Sequence, residues 1–254
     1  MAAARSKRAP ARKRAPTKSR TPPASDRVRH EWLRRVEAEY RSAAITQELS
    51  LWLIRVAVSP DLILDGLRIV KDELKHAELS HEVHAAGGGR EPPHIVRDSL
   101  GLPRHVQDPL EHDVLRATVE IFCLGETVAV RLFRELRSRA TVPAARRALD
   151  RILRDEVRHR DFGWTMLEWL SEQPMGDELI SLTRRELPAM FGRLRSAYAP
   201  RGAEKETNLP DAERAWGLMP MASYGRILDQ VFERDYLPRF ARFGIDAGQA
   251  WAAS

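Results

Sequence analysis

The fold class this chain predicts is all-α: a four-helix bundle of two antiparallel helix pairs joined by a long crossover, with additional helices at the C-terminal end. Three observations carry that reading. Four long segments repeat their apolar residues near the 3.6-residue helical period. The breaks between them run short, long, short, as two hairpins and a crossover require. No strand-rich stretch, Gly-rich phosphate loop or zinc-type Cys spacing interrupts them.

The first segment, roughly 28–58, carries Leu33, Val36, Tyr40, Ala43, Leu51 and Ile54 on one stripe and stops at "VSPD", where Pro60 and Asp61 suit a turn and a new helix start. The second, about 61–84, ends at Gly87-Gly88-Gly89. Residues 90–109 hold Pro92, Pro93, Pro103 and Pro109 and read as a long irregular connection. The third helix, roughly 111–139, leads through a turn containing Pro143 into the fourth, roughly 144–172. The bundle thus occupies 27–172, and 173–254 form a helical extension packed on it.

Residues 1–26 differ in kind. Residues 1–25 hold eight Lys or Arg and no acid, in a background of Ala, Pro, Ser and Thr, so they read as a disordered basic tail that cannot form a core. The formal net charge of +6 belongs to that tail, because the remainder has 34 basic against 36 acidic side chains. A solvated, solubilising tail is the plain reading, and weak electrostatic contact with nucleic acid is the functional one. No apolar run is long enough to span a bilayer and the basic start lacks an apolar signal core, so no membrane partner is expected. The single cysteine, Cys123, excludes an internal disulfide and fits a cytoplasmic location.

The second and fourth helices share a motif. "KDELKHAE" and "RDEVRHRD" both read Asp-Glu-x-x-His: Asp72, Glu73, His76 and Asp155, Glu156, His159. Residues three apart lie on one helix face, and Glu156 and His159 share theirs with Leu149, Ile152 and Leu153, the residues a helix buries. An ionised carboxylate alone in a core costs several kcal/mol, so it must be paired, protonated or bound to a cation. Carboxylates with an imidazole suit iron or manganese. Bundle sites of this kind add one inward Glu from each of the other two helices. On the third helix Glu126 lies among Phe122, Cys123, Ala129 and Val130. Its rival Glu120 shares a face with Asp113, Arg116 and Arg131 and reads as solvated. Glu126 and Glu156 are also equidistant from Thr141 in the turn. On the first helix periodicity favours Glu39, whereas distance from the turn favours Glu48.

These residues resemble the ferritin-like di-iron carboxylate family, nearest to bacterial ferritin-like-domain proteins. The resemblance covers about 28–172 and rests on "EAEYRSAA", "DELKHAE", "CLGETVA" and "DEVRHRDFG". It implies Glu39, Glu73, His76, Glu126, Glu156 and His159 as ligands of two iron ions, or of an Mn/Fe pair, with Glu73 and Glu156 bridging. Asp72 and Asp155 are expected to hold the imidazoles crosswise, Asp72 on His159 and Asp155 on His76; the plainer reading makes them exposed helix acids. Trp164, Phe122 and Phe133 read as core or as the lining and seal of the site, Cys123 as a buried inert hydrophobe or a residue facing the substrate pocket, and His81 and His84 as surface or outlying residues. The expected activity is an O₂-activating di-iron oxidase or oxygenase acting on a small organic substrate with an unknown reductant, in a chain compatible with a homodimer. The alternative is an iron-handling protein that oxidises ferrous iron or removes peroxide, although rubredoxin-like Cys pairs are absent. A metal-free interaction bundle is the third reading.

Overall fold

The computed structural model describes residues 21–254, and among these the chain is all-helical with no strand. Eight helices follow in order. α1 spans Asp26–Arg55 and α2 Pro60–Ala86. α3 is a continuous rod of Leu110–Ala117, a π-helical stretch Thr118–Glu126, and Thr127–Arg139. α4 spans Pro143–Ser171, α5 Gly176–Tyr198 and α6 Asp211–Ala215. α7 joins Met221–Val231, Phe232–Tyr236 and Leu237–Ala241, and α8 is Ala247–Ala252.

Local chemistry sets the boundaries. The Ser25 hydroxyl accepts from the Val28 amide at 3.2 Å and caps α1, and proline opens both α2 and α4, where a missing N–H costs nothing. The α1–α2 and α3–α4 turns are only a few residues long, which makes each pair antiparallel. α1 packs along α2, α2 on α4 and α4 on α3, while α1 and α3 touch only briefly. Over that gap the crossover is held to α1 by three bonds. The His94 amide donates to Glu37 at 2.8 Å, Arg41 Nε to the Ser99 carbonyl at 2.9 Å, and the Leu102 amide to Glu48 at 2.7 Å. α5 packs over α3 and α4, α7 over α3, and α8 against α5 and α7, building a second apolar layer around Phe191, Tyr236 and Phe240.

Several sequence expectations are corrected. The third helix is not regular: it holds a π stretch, Thr118–Glu126, in which Phe122, Cys123, Leu124 and Glu126 are all buried, Glu126 toward the other long helices and Leu124 toward α5. Asp113 is buried rather than solvated, gripped by Arg104, His105 and Arg116. Tyr40, Leu51 and Ile54, read as part of the buried stripe of α1, are exposed because the interior is lined instead by Glu39, Ala43, Thr46 and Ser50. His84 is buried, its Nδ1–H donating to the Arg29 carbonyl at 2.9 Å and tying α2 to α1; His81 is exposed. Residues 1–20 of the basic tail lie outside the described residues. Its last residues are ordered against the fold, the Pro22 carbonyl accepting from the Trp216 indole at 3.0 Å.

Candidate metal centre

Midway along the four long helices, six side chains converge: Glu39 from α1, Glu73 and His76 from α2, Glu126 from α3, Glu156 and His159 from α4. Ligand atoms of Glu39, Glu73, His76 and Glu156 lie within 4.8 Å of one another, as do those of Glu73, Glu126 and His159. Glu48, the rival on α1, is outside the cluster and spends its carboxylate on the crossover. Glu120 is likewise outside, half-exposed and paired with Arg193.

The two imidazoles turn the same nitrogen inward. His76 Nδ1 is 3.3 Å from Glu73, 3.6 Å from Glu39 and 3.7 Å from Glu156. His159 Nδ1 is 3.4 Å from Glu73 and 3.5 Å from Glu156. Glu73 and Glu156 therefore stand between the two histidines. The outer nitrogens meet the aspartates crosswise: His76 Nε2 is 3.2 Å from Asp155, and His159 Nε2 is 3.6 Å from Asp72, an electrostatic contact longer than a hydrogen bond. Neither aspartate is an exposed helix acid. Both are buried beneath Arg151 and Arg158, with Arg158 donating to Asp72 at 2.7 Å and to Asp155 at 2.9 Å.

Five buried polar atoms of the cluster have no hydrogen-bond partner: Glu73 Oε2, His76 Nδ1, Glu156 Oε2, and both nitrogens of His159. Such atoms are costly in a protein interior and rare. Four of them face the centre, so the cluster is incomplete as a hydrogen-bond network. This is the chemistry of a metal site: buried Glu and His groups that could hold a cation.

The ionisation pattern fits the same account. Burial pushes the Glu39 carboxyl up to about 8, with His76 opposing and Glu73 adding to the shift. Burial raises Glu126 well above the carboxylate range, and Glu156 beside it raises it further. Burial alone would lower His76, but Glu39 and Glu73 outweigh it and raise it to about 11. His159 is raised likewise, burial being overcome by Asp72, Glu156 and Glu73. Without a cation, the cluster thus holds protons where metal ions would otherwise compensate the charge.

Access is asymmetric. Glu39 and Glu126 keep 7% and 8% exposure, against 2% for Glu73 and Glu156 and none for the histidines, so the centre is most open between α1 and α3. Sequence reasoning missed several residues here. Ser42 donates to Glu73 at 2.9 Å. Tyr198, at the end of α5, lies in reach of the cluster's charge: burial raises its phenol, and Glu126, Glu156 and Glu39 raise it further. Nothing in the period of α5 points to that role. The arginines of α4 were visible in "RDEVRHRD" but gave no sign that they clamp the aspartates. Phe122 packs edge-on to Phe162, Trp164 donates to Thr127 at 3.0 Å, Cys123 is buried, and Phe133 is only partly buried. No family model and no curated protein matches this chain.

Proposed function

We propose that this chain is a ferritin-like di-iron carboxylate protein that activates O₂ to oxidise or oxygenate a small organic substrate. The observation that carries the reading is the set of orphaned, inward-facing atoms on Glu73, His76, Glu156 and His159, completed by Glu39 and Glu126. Glu39 and His76 would hold one ion, Glu126 and His159 the other, with Glu73 and Glu156 shared; Mn/Fe is the other pair these donors accept. Two ferrous ions supply the electrons for O₂ reduction when bound.

The chain's own residues do the rest. Asp155 accepts from His76 Nε2, and Asp72 faces His159 Nε2 at 3.6 Å, so both aspartates favour a proton on the outer nitrogen and leave Nδ1 for the centre. Arg151 and Arg158 keep those aspartates ionised and fixed: burial would raise Asp72, but His159 and Arg158 bring it below the usual range. The four carboxylates offset the charge of two divalent ions. The buried pair of Phe122 and Phe162, one helical turn from Glu126 and His159 respectively, helps to exclude bulk water.

Anaerobic loading with ferrous iron, followed by rapid mixing with O₂, tests this. The expected result is a transient absorbance that forms with two irons per chain and decays faster with substrate. Continued oxidation of many irons per chain, with mineral growth and no transient, would instead establish the iron-handling alternative.

A further inference from the structure

The gap between α1 and α3 is not filled. Beneath the crossover and α5 lies a cavity of about 610 Å³, within the range of small-molecule sites. One part of its wall is apolar, with Ile45 and Trp52 from α1, Leu102 from the crossover, Ile121 from α3 and Met190 from α5, and the rest carries charged side chains. Ile45 is six residues beyond Glu39 and Ile121 five before Glu126, so the cavity flanks the metal centre within about two helical turns on its more exposed side. Thr46 and Thr118, each one residue from a wall position, bury hydroxyls that have no partner.

The charges at the cavity are nearly all committed. Arg116 is bound to Glu186, Asp108 and Asp113, Arg193 to Glu120, and His105 to Asp113. Arg41 is the exception. Its Nε holds the Ser99 carbonyl at 2.9 Å, and its two terminal nitrogens make no ion pair among the described residues. A free guanidinium fork at the edge of an apolar chamber matches a carboxylate attached to an apolar body.

We infer that this cavity is the substrate site and that its ligand is an amphipathic organic acid, the carboxylate on Arg41 and the apolar chain along Ile45, Trp52, Leu102 and Ile121. Turnover of that acid rests on the proposed oxidase reading, whereas its binding does not.

Calorimetric titration of the full chain with decanoate, in metal-stripped and Mn(II)-loaded forms, separates the two. Saturable binding of one decanoate per chain is expected in both forms. Arg41→Gln should weaken it roughly tenfold or more, the loss of a charge-assisted contact, and leave the weaker binding of decanol unchanged. Ile45→Trp and Leu102→Trp, at half-buried positions that tolerate change, should each block both ligands while the melting temperature holds. No saturable binding, an unaltered affinity in Arg41→Gln, or binding that survives both tryptophan variants would overturn the inference. Metal content measured on the same samples keeps the outcomes distinct. Decanoate bound by a chain that takes no metal retains the acid site and removes the oxidase. A chain that takes two metals but no decanoate retains the oxidase and removes the acid site.

Discussion

Asp155 reaches His76 from the opposite helix at 3.2 Å and is itself held by Arg151 and Arg158. Its role is to orient the imidazole, so Asp155→Asn should lower metal affinity by about 10–100-fold without unfolding the chain, measured by competition with a chromophoric chelator. An unchanged affinity would make the contact incidental. Glu126→Ala should remove one of the two metal positions, reducing bound metal per chain in elemental analysis. These side chains were the most legible part of the sequence. Two Glu-x-x-His motifs at matching heights, each with an acid one residue earlier, announce a buried polar layer, and the crossed aspartate pairing follows from two-fold-like repetition. Tyr198 and Ser42 were not legible, because a lone hydroxyl near a ligand has no spacing signature.

The π stretch of α3 is the element on which the centre depends. It lets the main chain of α4 approach closely at Gly163, where an added Cβ would come within 2.4 Å of Phe122 Cβ and 2.9 Å of the Cys123 amide. Gly163→Ala should therefore cost about 1–3 kcal/mol by overpacking, read as a lower chemical-denaturation midpoint, and should loosen metal retention by displacing Glu126. The stretch is also pinned from outside, since the Tyr236 hydroxyl donates to the Leu124 carbonyl at 2.6 Å. Tyr236→Phe should cost roughly 1 kcal/mol with the fold intact, in the same denaturation measurement. Helix boundaries were readable to within about three residues from proline, serine and glycine chemistry. The π stretch was not, because the apolar pattern of "TVEIFCLGE" suits either kind of helix, and its contacts with Gly163 and Tyr236 come from distant segments of the chain.

Across the whole molecule, protonation and metal binding are linked. In the metal-free chain Glu39, raised to about 8, and His76, raised to about 11, hold protons that the unfolded chain releases at lower pH. Groups raised on folding add stability that is complete below their unfolded values and is lost as pH climbs through the folded ones. Asp72 and Asp155 have the opposite sign, their contribution being present above the usual aspartate value and lost on acidification below it. The metal-stripped protein should therefore melt at its highest temperature in the mildly acidic range and lose stability from about pH 5, through the Glu39 value of about 8, to the His76 value of about 11 in scanning calorimetry. Metal loading should displace protons from Glu39, His76, Glu126 and His159, so affinity should rise with pH over the same interval and weakly buffered solutions should acidify on titration.

On the proposed reading, four carboxylates and two imidazoles are tolerated inside this bundle because two cations bind among them. Crystals of the protein reconstituted with ferrous iron, measured at energies on either side of the iron absorption edge, test it most directly. Two anomalous peaks flanking Glu73 and Glu156 are expected, each also within bonding distance of one histidine Nδ1. A map without peaks, with all six side chains still converging as they do here, would contradict it.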